Sequence, residues 1–166
     1  TEVGITTLLV THDQEEALAI SDRIGVMSHG NLEQLGSPIE VYRRPSTAFV
    51  ARFVGSMNEL AGEVAGNAVN VRGVVVPTGA AASHDPGASV KLLVRPEDLA
   101  LAPYGEGLTG TIASTTFQGA TTLVGVRLDG LDTLVAVEVG QELTAEHVVG
   151  ARVGVTVNGD RAVCEP

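Results

Sequence analysis

Few residues of this 166-residue chain stand where their types and spacing suggest chemistry, and His12 is the first of them. It follows the nearly unbroken β-prone run Gly4-Ile5-Thr6-Thr7-Leu8-Leu9-Val10 and precedes Asp13-Gln14-Glu15-Glu16. Such a run reads as a strand covered on both faces of a parallel sheet. A histidine at the C-terminal end of that strand sits at the edge where α/β sheets place ligands, and its imidazole can hydrogen-bond a phosphate oxygen or an attacking water. Glu15 and Glu16 resemble a carboxylate pair for acid–base work, but adjacent helical positions point about 100° apart and first-turn acids favour the helix dipole, so capping is the better reading. Arg95, Glu97 and Asp98 form a charge cluster beside Pro96 that could hold a small anion or regulator. Clusters of this kind more often make a local turn or a domain contact. His29, His84 and His147 fall in expected turns or loops, share no metal-ligand spacing and read as surface residues.

The elements that must position these groups change character along the chain. Asp13 is an N-cap residue with Glu16 three positions on, so a helix should start at Asp13 with a reciprocal capping pair and end near Arg23. Ile24–Ser28 and Asn31–Leu35 read as a hairpin turning at His29-Gly30. Ser37-Pro38-Ile39-Glu40 combines an N-cap serine, a proline at the first helical position and a capping-box glutamate. That helix stops at Arg44 before Pro45, and Ser46 is expected to cap a further helix through Val54, with Phe49 and Phe53 one turn apart. Gly55 ends it. From Asn58 the pattern becomes short strands: Leu60–Val64, Val69–Val76, Val90–Val94, Leu99–Ala102, Thr109–Thr116, Thr122–Leu128, Leu134–Val139 and Arg152–Val157. Gly79 to Gly87 reads as a flexible loop. The spacing favours a small sandwich or OB-like barrel for this second part.

Composition narrows the function. A formal net charge of −10 opposes a phosphate backbone, and 3% aromatic residues leave few rings for base stacking, so nucleic acid is disfavoured as a partner. Cys164 is the only cysteine, which excludes an internal disulfide and suggests a reducing, cytosolic setting. No apolar run approaches the roughly 18 residues of a membrane span, so membrane association would go through a partner.

Leu8-Leu9-Val10-Thr11-His12-Asp13-Gln14-Glu15-Glu16-Ala17 resembles the switch-histidine segment of ABC transporter ATPases. The likeness continues through Asp22-Arg23-Ile24-Gly25-Val26-Met27 and through Leu35-Gly36-Ser37-Pro38-Ile39-Glu40-Val41-Tyr42-Arg43-Arg44-Pro45, which is similar to the end of the nucleotide-binding domain in importers of sugars, polyamines, ferric iron and sulfate. Phe49-Val50-Ala51-Arg52-Phe53-Val54-Gly55 followed by Asn58 resembles the linker helix leaving that domain. Val94-Arg95-Pro96-Glu97-Asp98-Leu99 and Phe117-Gln118-Gly119 resemble motifs of the appended OB-like TOBE domain.

The resemblance implies a mostly β chain. Residues 1–56 would be an α/β remnant of the nucleotide-binding domain, and residues 57–166 a TOBE domain. The implied function is the C-terminal accessory, regulatory and dimerisation region of an importer ATPase. Its partners would be the membrane subunits and a second ATPase subunit, and its place the cytoplasmic face of the cell membrane, reached through the transporter complex. In the full-length parent, with ATP and Mg bound, His12 would contact the γ-phosphate and attacking water. The phosphate-cradling loop G-x-x-x-x-G-K-[ST] does not occur in the sequence. The signature loop and the acidic magnesium strand are missing too, so these residues alone are expected to be inactive and to bind no cofactor. An orphaned Ile5–Val10 strand would invite pairing, predicting a homodimer in which N-terminal segments cover each other or the partner's β domain. The alternative reading is a stand-alone OB-like domain that binds a regulator or a small oxyanion.

Overall fold

Among the described residues, three short helices and a hairpin come first, and ten further strands follow. The computed structural model describes residues 4–140 and 147–166. Helix α1 spans Gln14–Ile20, capped by the Asp13 side chain, which accepts from the Glu16 N–H. Glu16 does not return the bond to Asp13, as a capping box would. Its carboxylate accepts from the Thr11 hydroxyl, and the Asp13 N–H donates to Thr11 Oγ1 instead. Strands β1 (Ile24–Ser28) and β2 (Asn31–Gly36) pair antiparallel across His29-Gly30, both at positive φ, as a two-residue hairpin turn requires. Helix α2 (Pro38–Arg43) carries the full capping box between Ser37 and Glu40. Helix α3 (Ala48–Phe53) is capped by Thr47 rather than Ser46, whose N–H is taken by the Gln34 side chain.

The expected strand over Gly4–Val10 does not form. These residues lie outside any helix or strand, and Leu8 and Val10 are 89% and 88% exposed. A strand hydrophobic on both faces forms only with a sheet on either side. Among the described residues no other strand pairs with it.

Beyond Asn58 the chain builds two five-stranded antiparallel sheets. The strands are β3 (Asn58–Val64), β4 (Ala68–Val71), β5 (Val74–Pro77), β6 (Ser89–Val94), β7 (Leu99–Ala102), β8 (Leu108–Phe117), β9 (Thr122–Leu128), β10 (Leu134–Val139), β11 (Arg152–Val157) and β12 (Val163–Glu165). One sheet has the order β12-β6-β3-β4-β5 and the other β10-β9-β8-β11-β7. Inward residues of both, Leu60, Leu92, Val94, Ile112, Val126 and Val155 among them, share one buried cluster. The fold is thus mostly β and OB-like, as expected. Helices α1 to α3 and β1 surround a second, smaller cluster of Val26, Val41, Val50 and Val54.

Three local expectations are corrected. The run Val69–Val76 is two strands, because Arg72 (φ 52°) and Gly73 (φ 88°) turn the chain and Asn70 Oδ1 accepts from the Gly73 N–H at 2.7 Å. Gly79–Ser83 is a 3-10 turn rather than a flexible loop, started by the Thr78 hydroxyl and anchored by fully buried Ala81. Val163–Glu165 adds a short edge strand on β6, too brief to show as a periodic pattern.

Candidate functional site

His12 is exposed, and no strand end holds it. It sits just before the Thr11–Asp13–Glu16 cap, which fixes the start of α1 and therefore the direction in which the chain enters it. His29 is exposed at its turn as expected, whereas His84 and His147 are half-buried rather than surface residues. Among the described residues, no three His, Cys, Asp or Glu side chains gather in a metal-holding group. The described residues also do not fit ATP: the phosphate-cradling loop is absent from the sequence, and His12 alone offers one imidazole on an irregular, exposed segment.

The cluster at Arg95, Glu97 and Asp98 is where the structure concentrates its buried polar contacts. Strand β6 delivers Arg95 to the end of the sheet, and Pro96–Asp98 turns as a short 3-10 helix. Arg95 is 3% exposed. Its guanidinium carbon lies 3.6 Å from the centre of the Tyr42 ring, and Nη2 donates to the Tyr42 carbonyl at 2.8 Å. The Tyr42 hydroxyl in turn donates to Glu97 Oε1 at 3.0 Å. Burial pushes the Tyr42 phenol pKa up against the opposing pull of the Arg95 charge. One residue of α2 is thus held by stacking, a backbone hydrogen bond and a side-chain hydrogen bond from a single turn of the β part. A planar guanidinium can stack and donate at once, and a lysine could not.

The remaining contacts brace this clamp. Gly55, at φ 150°, packs against Arg95 so closely that a Cβ would lie 2.7 Å from Nη1. Asp98 is 6% exposed and receives the Arg161 guanidinium on Oδ1, while its carbonyl accepts from the Asn158 N–H. Buried Asn58 satisfies both backbone groups of Ala136 on β10, at 2.8 and 2.7 Å. Arg95 and Glu97 of the charge cluster contact α2, and Asp98 ties the same turn to Asn158 and Arg161 within the β part. Sequence reasoning missed Tyr42 and Gly55, whose roles depend on a partner more than 35 residues away.

A second, outer tie runs through Arg52 of α3. Its guanidinium meets Glu59 of β3 at 2.8 Å and pairs with both carboxylate oxygens of Glu165 on β12. Hydrogen bonds from Arg52 hold both carboxyls below their ordinary value. A carboxylate with a depressed folded pKa adds stability that is complete above its unfolded value, near 4.3, and is lost as pH falls through the folded one. Arg52→Gln should therefore melt below the unaltered chain at pH 7, with the gap closing as the solution is acidified below that range. Thermal melts at a series of pH values check this, and a gap independent of pH would contradict it. Because these groups are largely exposed, the effect should be small.

Comparison with known proteins shows what the chain resembles. Residues 92–164 match the TOBE domain. The spermidine/putrescine import ATP-binding protein PotA of Oleidesulfovibrio alaskensis is 45% identical over 77% of this chain and 37% of its own length. The Fe(3+) ions import ATP-binding protein FbpC of Streptomyces avermitilis is 43% identical over 93% of this chain and 44% of its own. The sulfate/thiosulfate import ATP-binding protein CysA 1 of Chromobacterium violaceum is 40% identical over 93% and 42%. The chain thus spans less than half the length of these curated relatives. Among solved structures, the cytoplasmic molybdate-binding protein ModG shares the fold, with a TM-score of 0.52 at 20% identity over 64% of this chain and 94% of that one. Residues 92–164 thus match a TOBE domain within the two-sheet part, and most of the chain is homologous to ATP-binding subunits of ABC importers.

Proposed function

We propose that these residues are the accessory and regulatory region of an importer ATPase, coupling the segment that follows the switch histidine to a TOBE domain that brings two ATPase subunits together. The observation that carries this reading is the Tyr42–Arg95–Glu97 clamp, a desolvated contact between α2 and the β part. A division near residues 56 and 57 agrees with the two hydrophobic clusters, which lie on either side of it. In the assembled transporter the region would lie on the cytoplasmic face, held there by the membrane subunits. No helix among the described residues is long and apolar enough to cross a membrane.

His12 would contact the γ-phosphate and attacking water of ATP in the whole subunit, where ATP and Mg would be held by residues other than those of this chain. Exposure of Leu8 and Val10 beside it supports a segment that takes up its working conformation against a sheet. The test is ATP hydrolysis by the complete subunit together with its membrane partners. His12→Ala should lower turnover by about 10², the loss typical of a removed transition-state donor, and leave nucleotide binding and the melting temperature unchanged. Unchanged turnover would remove His12 from the mechanism. The small-oxyanion alternative draws no support from the likeness to ModG, which is one of fold. Titration with molybdate, tungstate or sulfate that found a tight stoichiometric site would restore it.

A further inference from the structure

A short series of contacts joins His12 to the β part, and Glu97 stands at its far end. The bonds among Thr11, Asp13 and Glu16 tie His12 to helix α1, which begins two residues later. Helix α1 has no fully buried residue, and Leu18 attaches it to the cluster of Val26, Val41, Val50 and Val54. There it meets α2, whose Val41 is fully buried in that cluster. The next residue of α2 is Tyr42, which Arg95 and Glu97 hold from the β part. Whatever sets the angle of α2 therefore bears on α1, and so on the direction in which His12 is presented.

Arg95 and Glu97 hold Tyr42 in different ways. Arg95 grips both the ring face and the backbone of α2, so its loss loosens the whole joint. Glu97 takes only the hydroxyl at the tip of the ring. A tyrosine side chain turns about two bonds, and a hydrogen bond at its tip fixes the rotation that stacking leaves open. An ionised carboxylate makes that bond stronger than a neutral acceptor would. Glu97 is half-buried, so water can replace Tyr42 when α2 tilts, and no buried charge is stranded. The bond can thus open and close at a cost that the fold tolerates, which Arg95, buried beneath the ring, cannot do.

We infer that Glu97 is a positioning residue for ATP hydrolysis in the whole subunit: through the Tyr42 hydroxyl it holds α2, and through α2 and α1 it sets the approach of His12. This inference rests on the proposed role of His12 and adds a residue of the β part that acts on it.

Steady-state hydrolysis by the complete subunit with its membrane partners provides the test. Glu97→Leu removes the acceptor, and Tyr42→Phe removes the donor while keeping the ring on Arg95. Each should lower kcat about three- to tenfold at an unchanged KM for ATP. The double variant should lose no more than either single one, because both remove the same bond. Glu97→Gln keeps an acceptor oxygen and should restore kcat to within about twofold of the unaltered subunit. In a His12→Ala background Glu97→Leu should cost less than about twofold, since its effect passes through the imidazole. Full turnover by Glu97→Leu, a loss carried by KM alone, or an equal loss with and without His12 would overturn the inference. The fall in turnover of His12→Ala itself would then leave the proposed reading standing. His12→Ala at full turnover would remove both.

Discussion

Replacing Arg95 with alanine is expected to lower the stability of the chain by about 3 kcal/mol and to separate its melting into two steps. The magnitude follows from what the side chain does. A hydrogen bond from a charged donor contributes about 1.5–3 kcal/mol, and a desolvated cation–π contact about 2 kcal/mol, less the cost of burying the cation. Truncation also leaves a cavity beneath Tyr42 and an unmatched Tyr42 carbonyl. For a chain of this length the shift should be roughly 6–12 °C in melting temperature. The two steps follow from the core arrangement. The cluster of Val26, Val41, Val50 and Val54 is too small to stand alone, and the Arg95 clamp and the outer Arg52 tie attach it to the two-sheet part. Differential scanning calorimetry, with proteolysis around residues 55–57 as a second readout, checks both statements. Arg95→Lys should behave like the alanine variant, because an ammonium cannot stack on Tyr42 and reach its carbonyl in the same geometry. A melting temperature within about 2 °C of the unaltered protein would show that the clamp contributes nothing.

The second large effect belongs to a glycine inside the β part. Gly154 sits on β11 between β7 and β8, opposite Ala102 and Thr109. The turn after β7 crosses directly over it: a Cβ there would lie 2.2 Å from the Glu106 carbonyl oxygen and 2.6 Å from that of Pro103. Both neighbours are backbone, so no side-chain rotation relieves the clash. Gly154→Ala should therefore cost more than about 4 kcal/mol, either moving β11 out of register with β7 or forcing the turn open. Gly79→Ala is the matched control, since nothing lies within 4 Å of its Cβ position and its change should stay within about 0.5 kcal/mol. Urea unfolding of the two variants separates the predictions. Equal midpoints would mean that the crossing turn yields freely.

These two sites mark how far the linear pattern carries. Ser37-Pro38-Ile39-Glu40 determined its own helix start, because every bond of a capping box lies within four residues. His29-Gly30 determined a hairpin, and the strands from Asn58 onward emerged close to their expected bounds, because alternation and turn residues are local properties. The family resemblance was legible for a similar reason: the Thr-His-Asp segment and Val94-Arg95-Pro96-Glu97-Asp98 are contiguous motifs. Arg72-Gly73 was legible in principle as a turn between two valine-rich runs.

The tertiary structure decided what depends on distant partners. Ile5–Val10 has the composition of a buried strand, yet composition supplies neither the hydrogen bonds nor the covering faces of a sheet, so these residues stay irregular. Arg95 read as part of a charge cluster making a local turn or a domain contact, and only the fold named its partner, Tyr42, 53 residues away. Gly154 looked like one of 20 glycines until the turn over β11 closed on it. Local chemistry is written in neighbouring residues, whereas burial and close approach are properties of packing. The sequence therefore determined most of the elements and the family resemblance, and packing decided whether Ile5–Val10 joins a sheet, which polar groups are desolvated and where the chain has no room to change.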